Sequence, residues 1–273
     1  INYCHKKWLR RAIGIGLGLG LILGSSAIAY LTIQIFSKFN FWLGLLVEII
    51  MLASCFAGKS LRDAALDVLQ PLCKKDLETA RSKLSLYVGR DTGNLSEKEI
   101  LRAILETVAE NTTDGVTAPL FYGIMGAFLP GMESACLAIA YKAASTLDST
   151  IGYLKEPYTD IGWFSAQLED RLTWLPCRLT VLTLALLSGK PRQVLYICDR
   201  DGTKDPSPNS GWSEAVFAAI LGVQLGGDNV YGGVVKKKPL LGDPVDEITS
   251  AKVESALKLM RDCFLIWLAI ATI

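Results

Sequence analysis

Glu106, Glu110 and Asp114 recur every four residues in ETVAENTTDG (106–115), and Arg102 stands one step before them. On an α-helix this spacing stacks the three carboxylates on one face, with Asn111 adjacent but turned further round. Such a row suits Mg2+, a hard cation that takes oxygen ligands and bridges to phosphate. A solvated helix face is the commoner origin of an acidic stripe. Here like charges repel at that spacing, no lysine interrupts the row, and it runs straight into the apolar stretch VTAPLFYGIMGAFLP.

Three further stretches carry reactive groups. STLDSTIGY holds Asp148, Ser149 and Tyr153, and QLEDRLTWLPCRL holds Glu169, Asp170 and Arg178. Each alone reads as a helix cap or a surface pair. Three acidic clusters beside three apolar segments read as one converging site. In DPSPNSGWSEAVFAA a turn over Ser207–Gly211 precedes a helix expected to start at Ser213-Glu214. Free N–H groups at a helix start hold phosphate, although a plain turn with an N-cap fits the residues slightly better. Ala53-x-x-x-x-Gly58-Lys59-Ser60 fits only the loosest form of a phosphate loop, and it lacks the strand and first glycine that such a loop needs. Lys59 reads as a membrane-flanking charge.

The composition removes much other chemistry. The chain has one histidine, His5, in the basic flank HKKWLRR. Triads, Cys–His pairs and His-rich metal sites therefore have no second imidazole to use, and acid–base work falls to carboxylates, amides, Lys or Tyr. Seven scattered cysteines with no C-x-x-C pair argue against a disulfide framework or structural zinc. A net charge of +1 with no basic arm gives no support to nucleic-acid binding.

The elements that position these groups lie in a chain of 273 residues, 51% hydrophobic, with mean hydropathy +0.33. Residues 12–36 are uncharged and long enough to cross about 30 Å of hydrocarbon. Gly16, Gly20 and Gly24 are expected on a close-packing face. Residues 39–58 read as a second span, joined through FSKFNF, with Glu48 expected to face another helix or be protonated. Basic flanks on both sides put both ends of this hairpin in the cytoplasm. Residues 59–115 read as helical, with a capping box at Ser96–Glu99. Beyond it Ile100, Ile104 and Val108 form an apolar face, cleanly separated from the acidic one. Residues 116–141, broken at Pro130-Gly131, and the stretches 172–189 and 213–226 read as further membrane-embedded segments, with a polar loop over 190–211. The expectation is an all-α, multi-pass membrane protein without strands. A hairpin over 1–58 precedes a helical catalytic region over 59–273. The first residue is Ile and the last eleven are apolar, so both ends are expected to be trimmed.

Taken in order, Arg90-Asp91-Thr92, ETVAENTTDGVTAPLFYG, STLDSTIGY, LEDRLTWLPCRLT, SPNSGWSEA and LGVQLGG resemble adenosylcobinamide-phosphate synthase, an integral-membrane family of cobalamin biosynthesis. The resemblance runs from about Leu61 to Gly242. It implies an ATP-dependent ligase that joins the free propionate of adenosylcobyric acid to aminopropanol or its O-phosphate as an amide. ATP and Mg2+ are the implied helpers, and the corrinoid is the substrate. Glu106, Glu110, Asp114, Asp148 and Asp170 become catalytic candidates, with Glu110 and Asp114 as Mg2+ ligands. Arg90, Asp91, Asn111, Arg178, Ser207, Asn209, Ser210 and Gly211 become candidates for holding substrate or phosphate. The implied location is the inner membrane with the site facing the cytoplasm. Other late cobalamin-assembly membrane enzymes are partners the resemblance allows. This chain has Ser145, Glu169 and Thr173 where the family usually has Asn, Asp and Asn, and the family's Gly-Asp-Pro and His-Pro elements are absent.

Two other readings stay open at this point. Membrane transferases of the prenyl or alcohol-phosphate kind also gather acids at helix ends around Mg2+–diphosphate. A membrane sensor or transporter would account for Glu48 and Glu133 inside apolar segments. One requirement follows from any shared site. A single membrane crossing at 116–141 would split the motifs between compartments, and a break at Pro130-Gly131 would reunite them.

Overall fold

Eleven α-helices, one π-helical turn and one β-hairpin make up the described residues of the computed structural model, which are 7–131, 133–153 and 156–272. His5 and Lys6 lie outside them. The chain divides into two compact units, Ile1–Phe56 with Asp114–Pro176 and Ala57–Thr113 with Cys177–Ile273.

In the first unit, helix α1 (Lys7–Phe39) runs for 33 residues and is followed by α2 (Phe41–Ser54). The connection is shorter than FSKFNF suggests. Asn40 alone breaks the helix, and its side chain accepts the N–H of Trp42. Two stretches, Lys7–Phe39 and Phe41–Cys73, are long and apolar enough to cross a membrane, and most of their apolar surface is unburied. The second is interrupted. Helix α2 ends at Ser54 after 14 residues, about 21 Å, and α3 (Gly58–Cys73) resumes after Cys55–Ala57. The expected second span over 39–58 is met by α2 and the residues just after it, within the apolar stretch Phe41–Cys73.

The close-packing glycines are not those expected. Gly16, Gly20 and Gly24 have open space around them, whereas a Cβ on Gly14 would lie 2.1 Å from the Ile161 carbonyl and one on Gly18 2.8 Å from the Phe164 ring. Two interleaved rows of glycine share the four-residue spacing, and spacing does not say which row meets a neighbour.

Helices α6 (Ala118–Phe128) and α7 (Ser134–Ile151) fold back on each other across the break anticipated at Pro130-Gly131. Gly131 takes φ +78°, which favours glycine. Gly126 lets the two helices close, since a Cβ there would sit 2.9 Å from Ser134 Cα. Neither helix alone is a membrane-length apolar span. Glu48, from α2, meets Glu133 at the start of α7, and Glu133 also accepts from Gln34 of α1 at 3.0 Å. Glu48 thus faces a neighbouring helix, as a carboxyl in an apolar segment must.

In the second unit, α3, α4 (Leu77–Leu84), α5 (Glu97–Thr112) and α11 (Ser250–Ala271) pack together. The capping box is present, with Ser96 and Glu99 bonding each other's backbone. Ile100, Ile104 and Val108 are buried as expected. The clean separation of faces fails, because Glu106 is 2% exposed and Leu101, Ala103, Leu105 and Ala109 are buried too. Helix α5 is enclosed on more than one side, by α3, α10 and α11.

The stretch expected as a polar loop contains helix α9 (Pro191–Gly202), with Pro at its first turn and Val194, Ile197, Cys198 and Asp201 buried. Helix α10 (Ser210–Leu221) begins at Ser210, three residues before the expected start, so Ser213 and Glu214 lie inside it. It is 12 residues long and packed in the core of the second unit: Ala215, Val216, Phe217 and Ala218 are each 0% exposed. Strands β1 (Leu225–Tyr231) and β2 (Val234–Leu241) then form an antiparallel hairpin that the all-α expectation omits. Glycines at 226, 227, 232 and 233, all with positive φ, supply its bulge and its turn and break the alternation that would have marked it.

Helix α8 (Trp163–Leu187) contains Pro176, where one boundary between the units falls. A second boundary falls in the π-helical turn Thr113–Thr117, and a third between Phe56 and Ala57. That wider turn also ends the α-helical register between Glu110 and Asp114.

Candidate active site

The expected acidic row resolves into separate settings. In the second unit, Glu106 is enclosed by donors. Arg90 bonds Oε2, Arg102 approaches Oε1 at 3.4 Å, and the Gly226 N–H donates to Oε1 at 2.9 Å. A carboxylate buried this deeply is tolerated only when paired and hydrogen-bonded, and these partners do that. Glu106 is thereby committed to holding the hairpin.

Arg90 and Asp91 serve the same hairpin. Arg90 donates to Asn229 Oδ1 at 2.8 Å. The Asp91 N–H donates to the Val230 carbonyl at 2.7 Å, and its carboxylate accepts from Gly232 and Gly233 at 3.0 and 2.8 Å. Asn111 turns back on its own helix, bonding the Thr107 carbonyl at 2.9 Å.

Glu110, one turn beyond Glu106 and half-buried, has a different environment. Burial raises its pKa; Lys238 opposes this, while Asp205 and Glu106 add to it. Glu214 on α10 is 0% exposed, and Lys238 of β2 donates to its Oε1 at 2.9 Å. Burial pushes the Glu214 carboxyl up to about 8, with Lys238 pulling it down and Glu110 and Glu106 pushing it further up. Burial also works to discharge Lys238, but the charge of Glu214 and Glu110 outweighs it and keeps the ammonium protonated. Glu214 Oε2 and Asp205 Oδ2 are buried without a hydrogen-bond partner among the described residues, as is Asn229 Nδ2.

The Ser207–Gly211 turn is preorganised by its own side chains. Asp205 Oδ1 accepts from the Ser207 N–H at 2.9 Å and from Ser210 Oγ at 3.1 Å. Ser207 Oγ accepts from the N–H groups of Asn209 and Ser210 at 3.3 and 3.2 Å. Several N–H groups that were expected to face a phosphate are therefore engaged within the turn. Gly211 is required for packing, since a Cβ there would lie 2.4 Å from the Gly202 carbonyl oxygen. Arg178 does join the turn, donating to the Pro208 carbonyl at 2.9 Å with its guanidinium 4.3 Å from the Trp212 ring centroid.

A second constellation lies in the first unit, around Tyr141 of α7. Its hydroxyl bonds Thr173 Oγ1 at 2.8 Å and Glu169 Oε1 at 3.5 Å, and Thr173 itself donates to Glu169. Tyr122 stacks on its ring at 5.0 Å. Burial raises the Tyr141 pKa, and the charges of Asp114 and Glu169 raise it further. Burial raises Glu169 to about 7; the Thr173 bond opposes this, and the charges of Asp148 and Asp170 add to it. Asp170 is raised by burial. The structure thus brings Asp148, Glu169 and Asp170 together, and sets Asp114 and Glu169 near Tyr141. Glu169 and Thr173, two positions that depart from the usual family residues, bond each other.

Sequence reasoning missed Tyr141, Asp205, Asn229 and Lys238 as site groups, and it read Arg102 only as a member of a helix face and Glu214 only as part of a helix start. Only Glu214 left a signal, as a carboxylate one residue before the apolar run AVFAAIL. Asn229 and Lys238 lie on unanticipated strands. Lys59 is exposed at the start of α3, with the end of α2 before it and no strand, which agrees with the flanking-charge reading.

Comparison with known proteins places this geometry in a lineage. The chain is 60% identical to "Cobalamin biosynthesis protein CobD" of Synechocystis over 265 residues, 97% of this chain and 78% of the relative. It is 41% identical to the protein of the same name from Halalkalibacterium halodurans, covering 96% of this chain and 82% of the relative. It is 42% identical to "Cobalamin biosynthesis protein CbiB" of Salmonella typhimurium, covering 95% and 80%. No solved structure matches it. The family described as CobD/Cbib protein matches residues 1–260, and the chain belongs to that CobD/CbiB family.

Proposed function

We propose that this chain, which acts in cobalamin biosynthesis, catalyses amide formation between the free propionate of adenosylcobyric acid and aminopropanol or its O-phosphate, at the expense of ATP. The observation that carries the reading is the pairing of family membership with two carboxyls that burial raises above the usual range, Glu110 and Glu214, beside the Lys238 ammonium that donates to Glu214. Amide synthesis needs a carboxylate activated, most simply as an acyl phosphate, and an amine relieved of a proton. Acids whose pKa values burial has raised suit that proton transfer at neutral pH.

Phosphoryl transfer depends mainly on positioning and charge stabilisation. Arg178, fixed beside the Ser207–Gly211 turn, supplies a guanidinium for phosphate oxygens. Mg2+ would enter with the nucleotide and neutralise its phosphate oxygens. Among the described residues no three Asp, Glu, His or Cys gather to hold a metal ion, and the Lys238 cation already faces Glu110. Those residues do not fit a metal cage of the protein's own, and we route no step through one. We place the protein in the inner membrane through α1 and the stretch from α2 into α3, with the site facing the cytoplasm.

The test is a full-chain assay in lipid nanodiscs with adenosylcobyric acid, ATP and aminopropanol phosphate. The expected result is a corrinoid amide formed with ATP consumption. ATP-independent turnover, or no consumption of the corrinoid, overturns the reading. Retention in the pellet after a carbonate wash is the expected outcome for the membrane placement, and release into the supernatant refutes it.

A further inference from the structure

We propose that Glu110 and Glu214 form the pocket for the ammonium of the amine substrate, with Glu110 taking its proton and Lys238 as the positioning residue that fixes Glu214. This rests on the amide-forming reading above. The groups that face Glu110 are Lys238 from β2, Glu214 from α10, Asp205 before α10, Glu106 from α5 and Arg90 before α5. With Arg102 on Glu106, these would be four carboxylates against three cations if all were ionised, and the raised Glu110 and Glu214 carboxyls are where that surplus charge is offset by a proton until an ammonium replaces it.

Glu214 Oε2 marks where the missing charge belongs. The side chain is 0% exposed, its Oε1 is held by Lys238, and its Oε2 has no hydrogen-bond partner among the described residues. A buried carboxylate oxygen without a donor is costly, and an ammonium brings both donors and the single balancing charge. The pocket already holds one primary ammonium, that of Lys238, in a good bond. A divalent ion would overshoot the charge and would need more oxygen ligands than gather here. Glu110, half-buried, gives the amine its approach.

The chemistry balances. The ammonium passes one proton to the Glu110 carboxylate, giving a free amine and a carboxylic acid. The amine nitrogen attacks the acyl phosphate carbonyl, the new C–N bond forms, and the C–O bond to phosphate breaks. The leaving phosphate keeps that electron pair and takes the second proton from nitrogen, and Glu110 later returns its proton to water.

The test uses the full chain in nanodiscs, and its binding arm does not depend on turnover. Thermal unfolding is followed with 1-amino-2-propanol, with uncharged propane-1,2-diol and with MgCl2 alone. The amine is expected to stabilise the wild type and the diol is not. Glu214→Gln and Glu110→Gln should each weaken amine binding by roughly tenfold or more, the scale of a lost hydrogen bond to a charged group. Lys238→Met removes the cation that lowers the Glu110 pKa, so the acidic limb of the pH profile for kcat/KM of the amine should move to higher pH. A purely structural lysine would cut activity without moving that limb. Stabilisation by MgCl2 but not by the amine, no stabilisation by either, or undiminished amine binding in both Gln variants overturns the pocket. Amine binding lost in both variants, in a protein that forms no corrinoid amide, supports the pocket and refutes the ligase reading.

Discussion

Arg178 lies over Trp212, its guanidinium 4.3 Å from the ring centroid, while the same group donates to the Pro208 carbonyl at 2.9 Å. One side chain of α8 thus fastens both ends of the turn that opens α10. Arg178→Lys keeps the charge but loses the planar face and the forked donors. Both Arg178→Lys and Trp212→Leu should lower stability by about 0.5–2 kcal/mol. A double-mutant cycle read by chemical unfolding should show a coupling on the order of 0.5–1 kcal/mol. Strict additivity would mean the stacking carries no energy.

Lys59 and Asn209 separate the two stretches that have been weighed as phosphate sites. Lys59 is exposed at a helix start with no strand before it, whereas Asn209 is 4% exposed and its carbonyl accepts from Ser213 N–H and Cys177 Sγ. Lys59→Ala should leave the rate within a few-fold. Asn209→Ala should cost about two orders of magnitude if its side chain is a preorganised donor to the transition state. Steady-state rates at saturating ATP decide, and the reverse ranking would move the nucleotide to the α2–α3 junction.

Gly211 gives a prediction about stability alone. An added Cβ would meet the Gly202 carbonyl oxygen of the backbone at 2.4 Å and the side-chain Cβ of Asp205 at 2.6 Å. Gly211→Ala should therefore destabilise by about 1–3 kcal/mol, the range for overpacking, and lower the melting temperature. An unchanged melting temperature would show that the α9–α10 corner yields easily.

Legibility in the sequence followed the strength of the local signal. The Ser96–Glu99 box, the uncharged run within α1 and the break at Pro130-Gly131 depend on a few neighbouring residues, and each appears where expected. Helix α9 was hidden because its polar face outnumbers Val194, Ile197 and Cys198. The hairpin was hidden because glycines replace the side chains that would alternate. The candidate site was legible as a set of acids but not as an arrangement. Glu106 reads like Glu110 along α5, and only the distant Arg90 and Gly226 make one a strut, while burial opposed by Lys238 makes the other a raised carboxyl.

Asp201 predicts a pH dependence. Burial works to raise its pKa, but bonds from Arg200, Lys204 and the Gly242 N–H overcome it and hold the carboxyl near about 2. A carboxyl depressed on folding adds stability above its unfolded pKa and loses it as pH falls through the folded one. The window is from about 4 down to about 2, and the contribution is about 2 kcal/mol. Asp201→Asn should remove that segment of the stability–pH curve while leaving the rest parallel. Identical acid limbs for the two proteins would contradict the assignment.

Asp91 accepts from Gly232 and Gly233 across 141 and 142 residues of chain, and the bond from Gly226 to Glu106 spans 120. During synthesis the segment Ala57–Thr113 emerges first, the residues 114–176 of the other unit follow, and only then do α9, α10 and the hairpin appear. At roughly 5–20 residues per second, Asp91 waits about 7–30 s for its partners. Throughout that interval Glu106 and Arg90 are in hand without the strand that fixes them. The second unit is therefore completed last, from the ribosome's side, and a translational pause at any point before α11 (Ser250–Ala271) has emerged would prolong exposure of α5.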